Sequence, residues 1–135
     1  MLRWLGDIRR VYRRPVGISS TLAYRRALQL DKDLLLAHIN LGWNLFLQGD
    51  IEAAIAAERA VLERQAHSTA QFNLGLFFII KGQIRAAEAA YALGVNKFGK
   101  AEAVRVGAVK DLRAIRHTHP TAQRLLNKYW PEHNR

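Results

Sequence analysis

The stretch AHINLGWNLFLQGDIEAAIAA (residues 37–57) returns further along the chain as AQFNLGLFFIIKGQIRAAEAA (residues 70–90). Ala37, Asn40, Leu41 and Gly42 align with Ala70, Asn73, Leu74 and Gly75, and Gly49 aligns with Gly82. Further on, Ile51, Ala53, Ala54, Ala56 and Ala57 align with Ile84, Ala86, Ala87, Ala89 and Ala90. The shared positions cluster where a pair of packed helices needs small or apolar groups, so the chain contains a duplicated unit.

Each unit reads as two helices. In the first, Ile39, Trp43 and Phe46 recur at three- to four-residue steps, as do Leu41 and Leu45, with Leu34 two turns earlier at the start of the segment. Gly49-Asp50 then breaks the helix, glycine serving a left-handed C-cap and aspartate an N-cap. A second helix is expected from about Ile51 to Gln65, with Ala54, Val61 and Leu62 turned inward. The next unit predicts a helix over 69–81, a break at Gly82-Gln83, a helix over 84–97 and a stop at Phe98-Gly99. So short a loop forces neighbouring helices antiparallel. Gly42, Gly75, Ala54 and Ala87 are expected to let the two backbones approach closely.

Asn40-Leu41-Gly42, Gly49-Asp50 and Glu52-Ala53-Ala54-Ile55 resemble the tetratricopeptide repeat at its spacing, and Asn73-Leu74-Gly75, Gly82 and Ala86-Ala87 match it again. Upstream, Ala23-Tyr24-Arg25-Arg26-Ala27-Leu28-Gln29-Leu30-Asp31 is similar to the second-helix ending of a preceding repeat. The resemblance covers about 21–97. It departs from the family in its period of 33, in lacking the closing proline, and in having Glu58 and Val61 where an aromatic and an alanine are usual. It implies an all-α fold of antiparallel helix pairs stacked into a short right-handed solenoid of seven or eight helices. Its divisions would be a degenerate first repeat (1–34), two repeats (35–67 and 68–100) and divergent capping helices (101–135). In the flanks, Leu2 to Arg14 reads as a helix ended by Pro15 and Gly17, with Ser19 or Ser20 capping the next. Ala101 to about His117 reads as one helix, and Thr121 to Tyr129 as a short last one after the break at Pro120.

In the tetratricopeptide family the first helix of each repeat lines a concave groove that holds a peptide. The resemblance therefore implies a non-catalytic scaffold whose partner is another protein or peptide, or a second copy of itself. The groove-facing places are Ile39, Asn40, Trp43, Phe46 and Leu47, then Phe72, Asn73, Leu76, Ile79 and Ile80. The family's clamp for a peptide C-terminus needs lysine or arginine where this chain has Leu36, Ile39, Thr69 and Phe72, so an apolar or amphipathic ligand is expected instead. The alternative is that these apolar side chains pack against the chain's own terminal helices.

The residues that suggest catalysis do not assemble a site. Gly94-Val95-Asn96-Lys97-Phe98-Gly99-Lys100-Ala101 matches a phosphate-binding loop except at Ala101, where a serine or threonine would hold magnesium. It follows an expected helix rather than a strand, so Gly94 is read as a packing residue and Gly99 as a helix stop. The five histidines, His38, His67, His117, His119 and His133, are scattered, and there is no cysteine. Ser19, Ser20 and Ser68 lack a nucleophile's context. Glu52, Glu58 and Glu63 read as a solvated helix face. Neither an enzyme nor a cofactor is expected, and no metal site.

The net charge of +10 is segregated. Residues 1–26 carry seven arginines against Asp7, residues 27–96 five basic groups against seven acidic, and residues 97–135 nine against three. On a helical wheel, Trp4, Leu5, Ile8, Val11 and Tyr12 share one side, and Arg3, Arg9, Arg10, Arg13 and Arg14 the other. Arg105, Arg113 and Arg116 are expected on one face of the Ala101–His117 helix, and Val104, Ala108, Leu112 and Ile115 on another. Arg3, Arg10, Arg14, Arg105, Arg113 and Arg116 are thus candidates for a second role, electrostatic contact with nucleic acid or an anionic membrane. The longest apolar stretch, residues 74–80, is far short of the roughly 20 needed to span a bilayer. The N-terminus has no apolar signal region, and a soluble, cytoplasmic protein is expected.

Overall fold

The computed structural model describes residues 3–11, 18–31 and 34–134, with side chains from 3–8, 21–31 and 34–134. The expected helix boundary at Pro15 and Gly17, and Leu2, Tyr12, Arg13 and Arg14, lie outside the described residues. The side chains of Arg9, Arg10, Val11, Ser19 and Ser20 do so too. Among the described residues the chain is all-α, with nine helices and no strand. These are α1 (Arg3–Val11), α2 (Ile18–Leu30), α3 (Leu35–Leu47), α4 (Ile51–Leu62), α5 (Ser68–Lys81), α6 (Ile84–Phe98), α7 (Lys100–Arg105), α8 (Ala108–Ile115) and α9 (Pro120–Tyr129), followed by a 3₁₀ turn at Pro131–His133. No helix among them is long and apolar enough to cross a membrane.

The offset between the two units reappears as matched hydrogen bonds. The turn after α3 closes through Gly49 N–H to Phe46 C=O and Asp50 N–H to Leu45 C=O, both 2.9 Å. The turn after α5 closes through Gly82 to Ile79 at 3.0 Å and Gln83 to Phe78 at 2.9 Å. Each donor and acceptor sits one repeat from its counterpart. Both turns need a left-handed residue, and Gly49 and Gly82 supply it at φ of 89° and 87°. Asp50 also caps α4, its carboxylate accepting from Ala53 N–H at 3.3 Å. Helices α3 to α6 pack in sequence, each against the next, and α3 also meets α5.

The offset holds in the core as well. Gly42 leaves room for the Glu58 side chain, and one repeat later Gly75 leaves room for Tyr91, whose ring lies 2.7 Å from where a Cβ would stand. These glycines accommodate side chains, not the close backbone approach expected from their size. Val61 packs with Ile39 in the first unit. The equivalent pair in the second is Gly94 and Phe72, whose ring would lie 2.7 Å from a Cβ on Gly94. A larger side chain on α5 is thus matched by a smaller one on α6, which conserves volume at the contact.

The C-terminal third differs from expectation. The single helix over 101–117 is broken at Gly107, which adopts φ 89° and divides α7 from α8; this raises the helix count to nine among the described residues. Arg105 therefore lies on a different helix from Arg113 and Arg116, and Val104 is exposed instead of sharing the apolar face of Leu112 and Ile115. Helix α8 packs on α5, α9 and α1. Trp130 is fully buried and its indole N–H donates to Lys100 C=O at 3.1 Å, tying the chain's end to the start of α7.

The matched volumes predict an energetic coupling. Gly94→Ala is expected to lower stability, because a clash of about 1–3 kcal/mol exceeds the roughly 1 kcal/mol gained in helix propensity. Adding Phe72→Ile moves the pair toward the Ile39–Val61 arrangement and should recover at least about 0.5 kcal/mol over the sum of the single changes, measured by urea unfolding. Strict additivity would contradict the pairing.

Candidate binding face of α3 and α5

The expected groove residues are mostly buried. Ile39, Phe46, Phe72, Asn73, Leu76 and Ile79 are buried, while Asn40, Trp43 and Ile80 are half-buried. They do not share one surface. Ile39 packs with Val61 and Ala70, and Phe72 with Tyr91 and Gly94, so both turn toward the second helix of a unit. Asn73 points at Glu58 on α4, its amide 3.5 Å from Oε1. Leu76 and Ile79 belong to the main core.

What α3 and α5 do present together is aromatic. Phe46 stacks on Phe77 with ring centroids 4.6 Å apart, and Trp43 lies 5.2 Å from Phe46 and 6.2 Å from Phe77. Phe77 was not among the expected site residues; its helical spacing from Asn73 and Ile80 identifies it only once the face is known. The occupant is α1. Trp4 stacks on Phe46 at 5.1 Å with the rings 26° apart, and Leu5 and Ile8 are buried beside it. Among the described residues α1 packs mainly on α8, then α3, and hardly on its sequence neighbour α2. Trp4, Leu5 and Ile8 of the apolar stripe seen on the helical wheel are therefore its docked part.

Two polar features tie the surroundings together. The Thr21 hydroxyl on α2 accepts from Asn44 and Gln48 on α3, each at 2.5 Å. Ser68 at the start of α5 donates to Glu102 Oε2 at 2.7 Å, and Arg105 holds both oxygens of that carboxylate. The hydrogen bonds from Arg105 and then Ser68 bring the Glu102 carboxyl down to about 2. Arg105, expected to await an anion, already has one.

The remaining anion candidates separate. Arg3 is exposed, 3.8 Å from Asp7. The backbone of Arg10 is in α1, and Arg14 is outside the described residues. Arg113 and Arg116 come together with Lys110 and His133 around one cleft. The segment resembling a phosphate loop runs through α6, with Gly94 under the Phe72 ring and Gly99 ending the helix at φ 91°. Among the described residues no three of His, Cys, Asp and Glu are grouped to hold a metal.

Glu58 corrects a reading of the sequence. Expected on a solvated face with Glu52 and Glu63, it is fully buried under Gly42, because α4 turns this position toward α3 and α5. Its Oε2 has no hydrogen-bond partner among the described residues. Burial pushes its carboxyl well above the ordinary value of 4.5, and the long contact from Asn73 offsets this only partly. The signal is in the sequence: the matching place of the second unit holds Tyr91, a buried aromatic opposite the equivalent glycine.

Compared with protein-family models, with curated proteins and with solved structures, the chain matches none.

A raised carboxyl keeps its proton in the fold after the unfolded chain has lost it. Its contribution to stability is whole below the unfolded value and declines as pH rises toward the folded one. Glu58→Gln should therefore gain stability relative to wild type from pH 5 to pH 8, in paired urea titrations. His119, which burial pushes down, titrates in both proteins and cancels in the difference. A gap between the two that stays constant with pH would contradict a neutral Glu58.

Proposed function

We propose that the protein is a non-catalytic interaction module of tetratricopeptide-like build, a short right-handed solenoid of helix pairs whose α3–α5 face takes an amphipathic helix of another polypeptide. The observation that carries this reading is the helix already there. Trp4 of α1 lies on Phe46, with Leu5 and Ile8 buried behind it. An occupant of this face needs an aromatic ring followed by aliphatic groups one and four positions on, which is how a helix lies in an apolar groove. Among the described residues α1 is seated mainly by α8 and then by α3, elements far from it in the chain. A partner helix of the same pattern would meet the same rings, and α1 and the partner are alternatives at one face.

Trp43, half-buried beside Phe46 and Phe77, supports this reading as the ring of the cluster that a new occupant would also touch. The non-catalytic half of the reading rests on placement. Gly94 and Gly99 serve packing and helix termination, and Glu58 is enclosed beneath Gly42.

The test weakens the resident helix in the full chain. With Leu5→Ala and Ile8→Ala, a fluorescein-labelled peptide of residues 1–14 should bind at least tenfold more tightly than to wild type, by fluorescence anisotropy. Adding Trp43→Glu should remove that binding while far-UV circular dichroism stays helical. Equal affinity for wild type and variant, or indifference to Trp43→Glu, would reject the face.

A further inference from the structure

The geometry points to a second site, independent of the α3–α5 face: the cleft beside α8 binds the phosphodiester backbone of a nucleic acid. The cleft encloses about 530 Å³ and is walled by Lys110, Arg113, Arg116 and His133 over an apolar floor that includes Val104 and Val109. It shares Val104 and His133 with a neighbouring recess of about 410 Å³, so the two form one trough. Lys100 lines the far recess, where Glu132 lies 3.8 Å from His133. In the larger cleft, the described lining side chains are basic or apolar.

The arrangement of the cations selects a polymer. Lys110, Arg113 and Arg116 follow at three-residue steps, and Arg116 keeps helical geometry at the C-cap of α8. A rise of 1.5 Å per residue spaces them about 4.5 Å apart along the axis. Each step also turns the side chain by about 60° around the axis. The three thus form an oblique row of positive charges along one side of α8, which suits a polymer of phosphates better than a single anion. Guanidinium forks suit phosphate oxygens in particular. Lys110, Arg113 and Arg116 each keep an interaction within the fold, so a phosphate would join or exchange with an existing contact. Among the described residues the larger cleft is lined by no Phe, Tyr or Trp on which a base would stack, so binding is to the backbone and tolerant of sequence.

A bilayer fits less well than a strand. An amphipathic helix on a membrane must lay down its apolar face, but that of α1 is turned into the core through Trp4, Leu5 and Ile8. The cations of α8 line a recess rather than a flat surface.

The experiment uses the full chain and a labelled single-stranded oligonucleotide of mixed sequence, followed by fluorescence anisotropy at about 50 and 200 mM salt. Lys110→Glu/Arg113→Glu/Arg116→Glu should weaken binding at least tenfold and reduce the salt slope by about two, the value for three phosphates on a single strand. Lys110→Gln/Arg113→Gln/Arg116→Gln, gentler on the fold, should also weaken it, with circular dichroism unchanged. Arg25→Glu/Arg85→Glu/Lys97→Glu removes the same charge elsewhere and should stay within threefold of wild type. Equal losses in the cleft and control sets would overturn the site, as would absence of binding by the wild type at the lower salt. Retention on phosphatidylserine vesicles, lost in the cleft variants while oligonucleotide is ignored, would overturn it in favour of a membrane.

Discussion

The stack of Trp4, Phe46 and Phe77 joins three helices that no short loop brings together. Centroid spacings of 5.1 and 4.6 Å run from α1 through α3 to α5. Aromatic pairs of this kind contribute about 0.5–1.5 kcal/mol each beyond their buried area, and each buried apolar side chain about 1.5–3 kcal/mol. Without α1, Phe46 would lose the ring stacked on it, and α8 the helix at its side. Covering that surface with α1 also decides the electrostatics. Once Trp4, Leu5 and Ile8 point inward, Arg3 on the other side of the wheel is left exposed beside Asp7.

The middle of the chain was legible because its information is local and stated twice. A glycine that must adopt positive φ, an aspartate that caps, and small residues opposite large ones determine the α3–α4 and α5–α6 pairs within a few turns of themselves. The same offset carries more than the helix boundaries. It equates Ile39 and Val61 with Phe72 and Gly94, and Glu58 with Tyr91, so the burial of Glu58 follows from its counterpart while its charge argues the other way. The face itself was less legible. Periodicity places Ile39 and Phe72 on the first helices but does not say which side turns to the second helix of the unit. The seat of α1 on α8 joins segments near opposite ends of the chain, and no local pattern encodes such a contact. Gly107 was readable only as a glycine in a helical stretch; its positive φ belongs to the tertiary structure.

Charge shows the same division between local and distant. The sequence separates two basic ends from a near-neutral centre. The fold brings the ends together by packing α1 on α8, yet it distributes the individual cations unequally. Arg105 is held by Glu102 and helps fasten α7 to Ser68 on α5, which makes it a structural residue. Arg113 in the next helix and Arg116 at its C-cap line a cleft with Lys110. A break at a single glycine separates these two fates.

The position shared by Glu58 and Tyr91 shows how the two units differ in cohesion. In both, a long side chain with a polar tip enters the space left by a glycine, and in both that tip has an oxygen with no hydrogen-bond partner among the described residues. Tyr91 offsets the cost with a buried ring against Phe72, 6.0 Å between centroids. Glu58 brings no ring, only a carboxyl that burial pushes toward its protonated form and a long contact from Asn73. At this position the α5–α6 pair thus has a ring contact that the α3–α4 pair lacks. It is also α3 that carries Trp43 and Phe46. The stack of Trp4 on Phe46 thus adds apolar contact, from outside the first unit, to the helix that faces Glu58.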